Sequence, residues 1–127
     1  INAGHVPPLV RRASGELVEL SSSNFPVGMF PEAEFTAERV TLQAGDFLVI
    51  YTDGVSEAKN LDDEMFEHER LSALMRGFSG ATAEDLAEAV RSGVRDFTGG
   101  APQADDITMV VLHYKGNAAA QAKPLGA

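Results

Sequence analysis

Two short acidic segments hold the residues of this sequence that are best suited to metal chemistry. Asp53 lies between Thr52 and Gly54 at the end of an apolar run, and Asp105 with Asp106 precedes another apolar run. If the two runs are neighbouring strands, these carboxylates converge at one end of a sheet. Converging carboxylates repel one another unless a cation neutralises them. Carboxylate and water ligands suit Mg²⁺ or Mn²⁺ rather than a zinc-type site.

Each aspartate also has a simpler interpretation when it is taken alone. Asp-Gly is a common turn signal, so Asp53 fits an ordinary turn. Asp105 fits a solvated turn before a strand. The metal hypothesis therefore depends on whether the fold brings the two segments together.

Length, composition and charge exclude several classes of protein and of functional site. The chain has 127 residues, 44% of them hydrophobic, which is enough for one domain with a core. It has no cysteine, which excludes disulfides, thiolate metal sites and cysteine nucleophiles. The net charge of −9 argues against a nucleic-acid partner. No apolar run approaches the roughly 20 residues of a membrane span and no signal peptide is visible, so we expect a cytoplasmic protein with no membrane partner.

The first half of the chain reads mainly as strands. The expected elements are a hairpin of residues 8–12 and 16–20, an ordered loop at 21–29, a strand around Phe35, Val40 and Leu42, and a buried strand at 47–51. The last of these is a continuous apolar run that is too short for a helix. It ends at the Asp53-Gly54 pair.

The second half reads as helices followed by a strand. The expected elements are a short helical turn within 55–64, a helix through Leu71, Leu74 and Met75 that stops at Gly77, a helix from a Thr82/Asp85 capping box to Gly99-Gly100, a central strand at 107–114, and a disordered tail at 116–127. Antiparallel strands followed by a helix pair predict an α+β fold in which the helices cover one face of a sheet.

Three motifs stand in order along the chain: NAGHVPPL at 2–9, GDFLVIYTDGVSEA at 45–58, and DDITMVVL at 105–112. Together they resemble the PPM-type (protein phosphatase 2C-like) serine/threonine phosphatases, in the bacterial branch of the SpoIIE and RsbU regulators. Residues 26–29, PVGM, also resemble a loop of that branch. The resemblance implies an α-β-β-α sandwich of two antiparallel sheets flanked by helices. It assigns residues 1–115 to the C-terminal portion of that domain, with 116–127 as the tail.

The same resemblance assigns roles at the two acidic segments. It implies that Asp53 and Asp105 are ligands of one of two Mn²⁺ or Mg²⁺ ions, with Gly54 serving the turn. Asp106 and Gly54 are secondary candidates for the metal or its water shell, and Asp106 would orient the strand or bind metal-coordinated water. A further aspartate that bridges the two ions would belong to a motif ahead of Asn2. Since the chain also opens on Ile1 rather than methionine, we expect it to be a piece of a larger domain.

The remaining polar candidates are weaker. His5 would donate to substrate phosphate or to a bound water, or its ring would cap the loop structurally. Asn2 would hold the loop backbone or lie near the site. His68 and His113 are expected to be structural.

The resemblance implies hydrolysis of phosphoserine or phosphothreonine on a protein by metal-activated water, with no protein nucleophile. The implied substrate is a phosphorylated anti-anti-sigma factor of the STAS class in bacterial signalling. The alternative is that the chain is catalytically incomplete and serves as a folding remnant or an interaction module. Half a sandwich would expose sheet surface, so a homodimer or a domain swap is also expected.

Overall fold

The computed structural model describes residues 1–20 and 24–117 of the chain. Its elements in chain order are β1 (Leu9–Arg11), β2 (Leu17–Glu19), β3 (Asp46–Tyr51), α1 (Asp53–Ser56), α2 (Glu67–Gly77), α3 (Ala83–Thr98) and β4 (Met109–Tyr114). The four strands form one antiparallel sheet in the order β2-β1-β3-β4. This arrangement confirms the predicted α+β class.

The register of the sheet decides where the acidic segments lie. The predicted hairpin is confirmed as β1 paired with β2, and β3 is paired on both sides, with β1 and β4. In the β3–β4 pair, Tyr51 lies opposite Met109 and Asp46 opposite Tyr114. The residues that follow β3 and those that precede β4 therefore share one end of the sheet.

The core lies between one face of the sheet and the helices α2 and α3. Alternate residues of β3 face the helices, as the two-residue period of a strand requires: Phe47, Val49 and Tyr51 are all buried. The helices add buried side chains at helical spacing, namely Leu71 and Met75 from α2 and Leu86, Val90 and Val94 from α3. Each such aliphatic side chain stabilises the fold by about 1.5–3 kcal/mol when it leaves water.

The two ends of α3 follow local capping chemistry. Thr82 and Asp85 form the predicted capping box at the start of α3, and Gly99 ends that helix with φ of 58°. Gly77 ends α2 as expected, although α2 begins at Glu67, ahead of its first apolar position. The expected helical turn is α1, and it begins directly at Asp53.

The strand predicted around Phe35, Val40 and Leu42 is absent, and these residues lie in an irregular segment. Its backbone groups are satisfied by side chains instead. Asn24 exchanges two hydrogen bonds with the backbone of Thr36, at 2.9 and 3.0 Å. β1 and β3 are each paired on both sides, and the segment pairs with neither of the edge strands β2 and β4.

The prediction that the last strand is central was also wrong for the described part of the chain. β4 begins at Met109 and forms an edge of the sheet. Its apolar residues on both faces suggested burial on both sides, but Val110 and Leu112 are 58% and 44% exposed. Together with Ile50 they make an apolar face that points away from the helices.

Two predicted segments fall partly outside the described residues. The tail at 116–127 is described only at 116 and 117, where Asn117 accepts a hydrogen bond from Tyr114. The loop at 21–29 is described from Asn24 onward. Within the described residues, no helix combines the length and the apolar character that crossing a bilayer requires.

Candidate functional site

A hydrogen-bonded staple joins the two acidic segments. The Thr52 backbone N–H donates to the carbonyl of Thr108 at 3.0 Å, and the Thr108 N–H donates to the Thr52 hydroxyl oxygen at 3.1 Å. The Thr52 hydroxyl donates in turn to the carbonyl of Asp106 at 3.1 Å. The fold therefore brings the two acidic segments together, as the metal hypothesis requires.

Gly54 allows the closest approach between the segments. It is buried, and a Cβ placed on it would lie 2.3 Å from the carbonyl oxygen of Asp106. Its φ is outside the left-handed region, so this position requires glycine for space rather than for backbone conformation. The structure thus shows a packing role for Gly54, and the turn role that the resemblance implies stays a prediction.

The carboxylates on this frame are open to solvent. Asp53 is exposed as the first residue of α1, and within the described part of the chain its side chain makes no hydrogen bond or ion pair. Asp105 is exposed and accepts one hydrogen bond, from the Asp106 N–H at 2.7 Å. Oxygen atoms on both sides of the staple are therefore left for an external ligand.

Asp53 and Asp105 are the right type of ligand for a hard cation such as Mg²⁺, but there are too few of them to complete its coordination. Mg²⁺ takes six oxygen ligands, and its protein sites commonly use one or two carboxylates plus water and phosphate. Among the described residues, no group of three or more His, Asp or Glu side chains is placed to hold a metal. Asp53 and Asp105 would thus supply part of a ligand set, and their role as ligands stays a prediction.

Asn2 and His5 build a local loop. Asn2 donates to the His5 carbonyl and accepts from the His5 N–H, both at 2.8 Å, and the His5 ring Nδ1 lies 2.8 Å from the carbonyl oxygen of Val6. These contacts match the alternative in which both residues stabilise the loop. Asn2 and His5 also line a cavity of about 260 Å³, together with Ile50. A role for either residue in contacting substrate or metal-bound water stays a prediction.

Sequence reasoning missed the most fully bonded carboxylate of the described chain. Asp46 is buried at the start of β3, where it accepts from Arg12 Nη1 at 2.7 Å, from the Gln43 N–H at 2.9 Å and from the Ala13 N–H at 3.1 Å. Burial raises the pKa of Asp46, but these donors outweigh it and leave the pKa below its usual value. In the sequence Asp46 had only the signature of a turn, because two of its three donors, Arg12 and Ala13, are distant in the chain.

The other buried titratable groups are structural. Burial, and then the negative charge of Glu19, raise the pKa of Tyr51. The Tyr51 hydroxyl lies 3.2 Å from Nδ1 of His68, and Nε2 of His68 lies 3.1 Å from Glu19. His113 stacks on Phe47 with ring centroids 4.2 Å apart. Both histidines pack as the sequence predicted.

Comparison with known proteins now bears on the three motifs. The family model described as Stage II sporulation protein E (SpoIIE) matches residues 1–115. This chain belongs to the SpoIIE family. The match spans all three motifs, so it confirms the resemblance on which the sequence-based assignments were made.

The curated relatives that this chain matches are several times longer than the chain. It is 33% identical over 114 residues to protein IcfG of Synechocystis, covering 89% of this chain and 18% of IcfG. It is 37% identical over 57 residues to phosphoserine phosphatase RsbP of Bacillus subtilis, covering 45% of this chain and 14% of RsbP.

Solved structures of SpoIIE itself show the same fold. The structure of the PP2C phosphatase domain of SpoIIE from Bacillus subtilis, with a fragment of its regulatory domain, matches 87% of this chain and 32% of its own length. The TM-score is 0.68 and the identity 24%. A second structure of the phosphatase domain, described as presoaked with Mn, matches 91% of this chain and 49% of its own length, with a TM-score of 0.66 and 21% identity. The chain thus spans less than half of each of these proteins and carries part of the PP2C fold.

Proposed function

We propose that this chain is part of a metal-dependent protein phosphatase that hydrolyses phosphoserine or phosphothreonine. The observation that carries the proposal is the staple of Thr52, Thr108 and Asp106, which holds Asp53 and Asp105 on one rigid frame. Membership of the SpoIIE family supports it, as does the relative named as a phosphoserine phosphatase.

In this proposal Asp53 and Asp105 hold Mn²⁺ or Mg²⁺, and further ligands come from outside the described residues. When bound, two such ions activate water for attack on phosphorus and neutralise the phosphoryl oxygens. Gly54 and Thr52 fix the spacing between the two carboxylates, and Asp106 orients the strand or binds metal-coordinated water. The chemistry needs no protein nucleophile, which suits a chain without cysteine.

The proposed substrate is a phosphorylated anti-anti-sigma factor of the STAS class, acting in the cytoplasm of a bacterium. The family assignment supports a place in sigma-factor regulation. The charge of −9 agrees with a protein substrate rather than a nucleic acid.

A second candidate function is favoured by one observation. Because no three-residue ligand group is present in the described part of the chain, this polypeptide by itself would bind metal weakly. It would then be a folding remnant or an interaction module. Its exposed sheet face at Ile50, Val110 and Leu112 would support a homodimer or a domain swap.

One experiment separates the two candidates. Mn²⁺-dependent hydrolysis of a phosphoserine protein is measured with this chain and with an extended form that carries about 100 more residues toward the N-terminus, a typical domain-sized addition. We expect activity in the extended form only. Asp53→Asn or Asp105→Asn should lower that activity by about 100-fold or more, while Asp62→Asn, in an exposed acidic loop, should not change it.

The outcomes are distinct. An inactive extended form, or activity that survives both substitutions, would sink the phosphatase proposal. Equal activity in the short form would show instead that the ligand set is complete within this chain.

A further inference from the structure

A large cavity adjoins the candidate metal site. It has a volume of about 620 Å³ and lies between α1, α3 and the loop at 99–108 that follows α3. Gly54 and Asp105, from the two acidic segments, form part of its wall. Pockets that bind ligands usually measure about 300–1,000 Å³, so the cavity is large enough for a side chain or a short peptide segment.

The inner wall of the cavity is apolar. It is formed by Val90 and Val94 of α3, by Met109 at the start of β4, and by Met65 and Ala58 from the segment after α1. Val90 and Val94 are also part of the core, so this wall is held rigidly.

The loop at 101–104 forms the outer wall of the cavity. The Ala101 N–H donates to the carbonyl of Thr98 at 3.0 Å, and the Gln103 side chain donates to the carbonyl of Asp105 at 2.8 Å. These bonds tie the loop to α3 at one end and to the acidic segment at the other. The outer wall is thus anchored at both ends.

The cavity wall also carries cationic side chains. Lys59, Arg91 and Arg95 line the cavity, against the acidic Glu57 and Asp105. If Asp105 binds a metal ion, the charged side chains left in the cavity wall are three cations and one carboxylate, that of Glu57. Such a cluster is unusual in a chain with a net charge of −9 and favours an acidic ligand.

The three cations are available to such a ligand. Among the described residues, the ion pair of each is with an acidic residue within four positions of it, at 2.8 Å for Lys59–Asp63, 2.6 Å for Arg91–Glu88 and 3.7 Å for Arg95–Asp96. Arg95 also donates to the Ser92 hydroxyl at 3.1 Å. The arginine pairs are more than half exposed, and exposed ion pairs contribute little to stability. An incoming carboxylate or phosphate can therefore replace the present partners at small cost.

We propose that this cavity binds an apolar side chain of the phosphoprotein substrate, while Arg91 and Arg95 contact an acidic group on the same segment. The inference rests on the proposed phosphatase function. Because Asp105 belongs to both the cavity wall and the metal site, the apolar residue lies only a few residues from the phosphoserine. An extended chain advances about 3.3 Å per residue, so we place the apolar residue two to four positions away.

The test uses the extended form and a set of fluorescein-labelled phosphoserine peptides. Three peptides carry leucine at two, three or four positions from the phosphoserine, with a neighbouring glutamate, and matched peptides carry serine in place of leucine. We expect one leucine peptide to be hydrolysed with kcat/KM about tenfold above its serine counterpart, as burial of an aliphatic side chain predicts. p-Nitrophenyl phosphate, which has no such side chain, reports on the metal site alone.

Paired variants locate the effect. Arg91→Gln/Arg95→Gln should lower kcat/KM for the leucine peptide by about tenfold. Arg39→Gln/Arg76→Gln removes the same charge from exposed positions outside the cavity and should leave it unchanged. Ala87→Phe, which projects into the cavity, should abolish the preference for leucine. Turnover of p-nitrophenyl phosphate should stay within about twofold in all three variants, since none removes a proposed metal ligand.

Binding of the same peptides by fluorescence anisotropy separates this inference from the phosphatase proposal. A leucine preference in binding that Arg91→Gln/Arg95→Gln weakens would support the cavity even if no peptide were hydrolysed. Equal binding of leucine and serine peptides, or equal effects of the two double variants, would overturn the inference. So would a parallel loss of p-nitrophenyl phosphate turnover, because the cavity would then act only through the fold.

Discussion

The two ends of β3 carry the same residue type in opposite circumstances. Asp46, at the start of the strand, is 1% exposed and accepts hydrogen bonds from Arg12 and from two backbone N–H groups. Asp53, just past the other end, is exposed and makes no side-chain hydrogen bond or ion pair within residues 1–20 and 24–117. The carboxylate of Asp46 is enclosed by the fold, and the carboxylate of Asp53 is available to an external ligand.

The difference shows how the same sheet serves stability at one end and chemistry at the other. A buried carboxylate persists only where donors satisfy it, and Asp46 has them. At the opposite end the Thr52 N–H and hydroxyl donate to backbone carbonyls, and the Thr108 N–H donates to the Thr52 hydroxyl oxygen, so none of these donors goes to a carboxylate. The frame is therefore rigid while its carboxylates remain uncommitted, which is the arrangement a metal site needs.

The largest stability effect should follow the loss of the enclosed carboxylate. Asp46→Asn leaves Arg12 without its charged partner and turns an amide N–H₂ toward a donor, so the free energy of unfolding should fall by about 2–3 kcal/mol. Urea unfolding of the extended form measures this change.

Asp53→Asn is the matched control for that measurement. Its free energy of unfolding without added metal should stay within about 0.5 kcal/mol of the unsubstituted protein, as is usual for exposed positions. Similar destabilisation by both substitutions would contradict the contrast between the two ends of β3.

A smaller effect is expected at Gly54, where the two acidic segments approach each other. Gly54→Ala places a methyl group against the carbonyl of Asp106, which must move away. Because overpacking typically costs about 1–3 kcal/mol, we expect a loss of that size together with lower Mn²⁺-dependent activity. Unfolding and phosphatase assays on the same preparation measure both.

Gly77→Ala is a suitable comparison. Gly77 also lies in a helix without left-handed φ, but a Cβ there meets nothing within 4 Å. Its substitution should be neutral or slightly stabilising. If Gly54→Ala behaved in the same way, the close approach would not be what holds the segments together.

Local chemistry explains what the sequence predicted well. The apolar run of β3, the Thr82/Asp85 capping box and the helix ends at Gly77 and Gly99 all depend on residues that are near one another in the chain. The metal hypothesis was conditional on the two apolar strands being neighbours, and the structure shows that β3 and β4 pair. The structure supplied the staple at Thr52, which no local pattern indicates.

The failures of prediction come from contacts between distant residues. Asp46 gains its donors through the β1–β3 pairing, across more than 30 positions to Arg12. The segment around Phe35 has strand-like alternation but pairs with neither edge strand of the sheet, and the Thr36 backbone bonds to the distant Asn24 side chain instead. Apolar residues on both faces of β4 predicted a central position, yet only one face is covered in the described part of the chain.

The smallest predicted effect is a pH dependence that belongs to one end of β3. Because the folded-state pKa of Asp46 is lowered, its charged form stabilises the fold at pH values above the unfolded-state pKa of about 3.9. That contribution is lost as pH falls through the lower folded-state pKa, where the carboxyl group becomes protonated. The difference in unfolding free energy between the unsubstituted protein and Asp46→Asn should thus be constant near neutral pH and shrink in acid. Asp85, whose pKa is also lowered, is present in both proteins and cancels. A difference that stayed constant or grew on acidification would mean that Asp46 is held by its shape rather than by its charge.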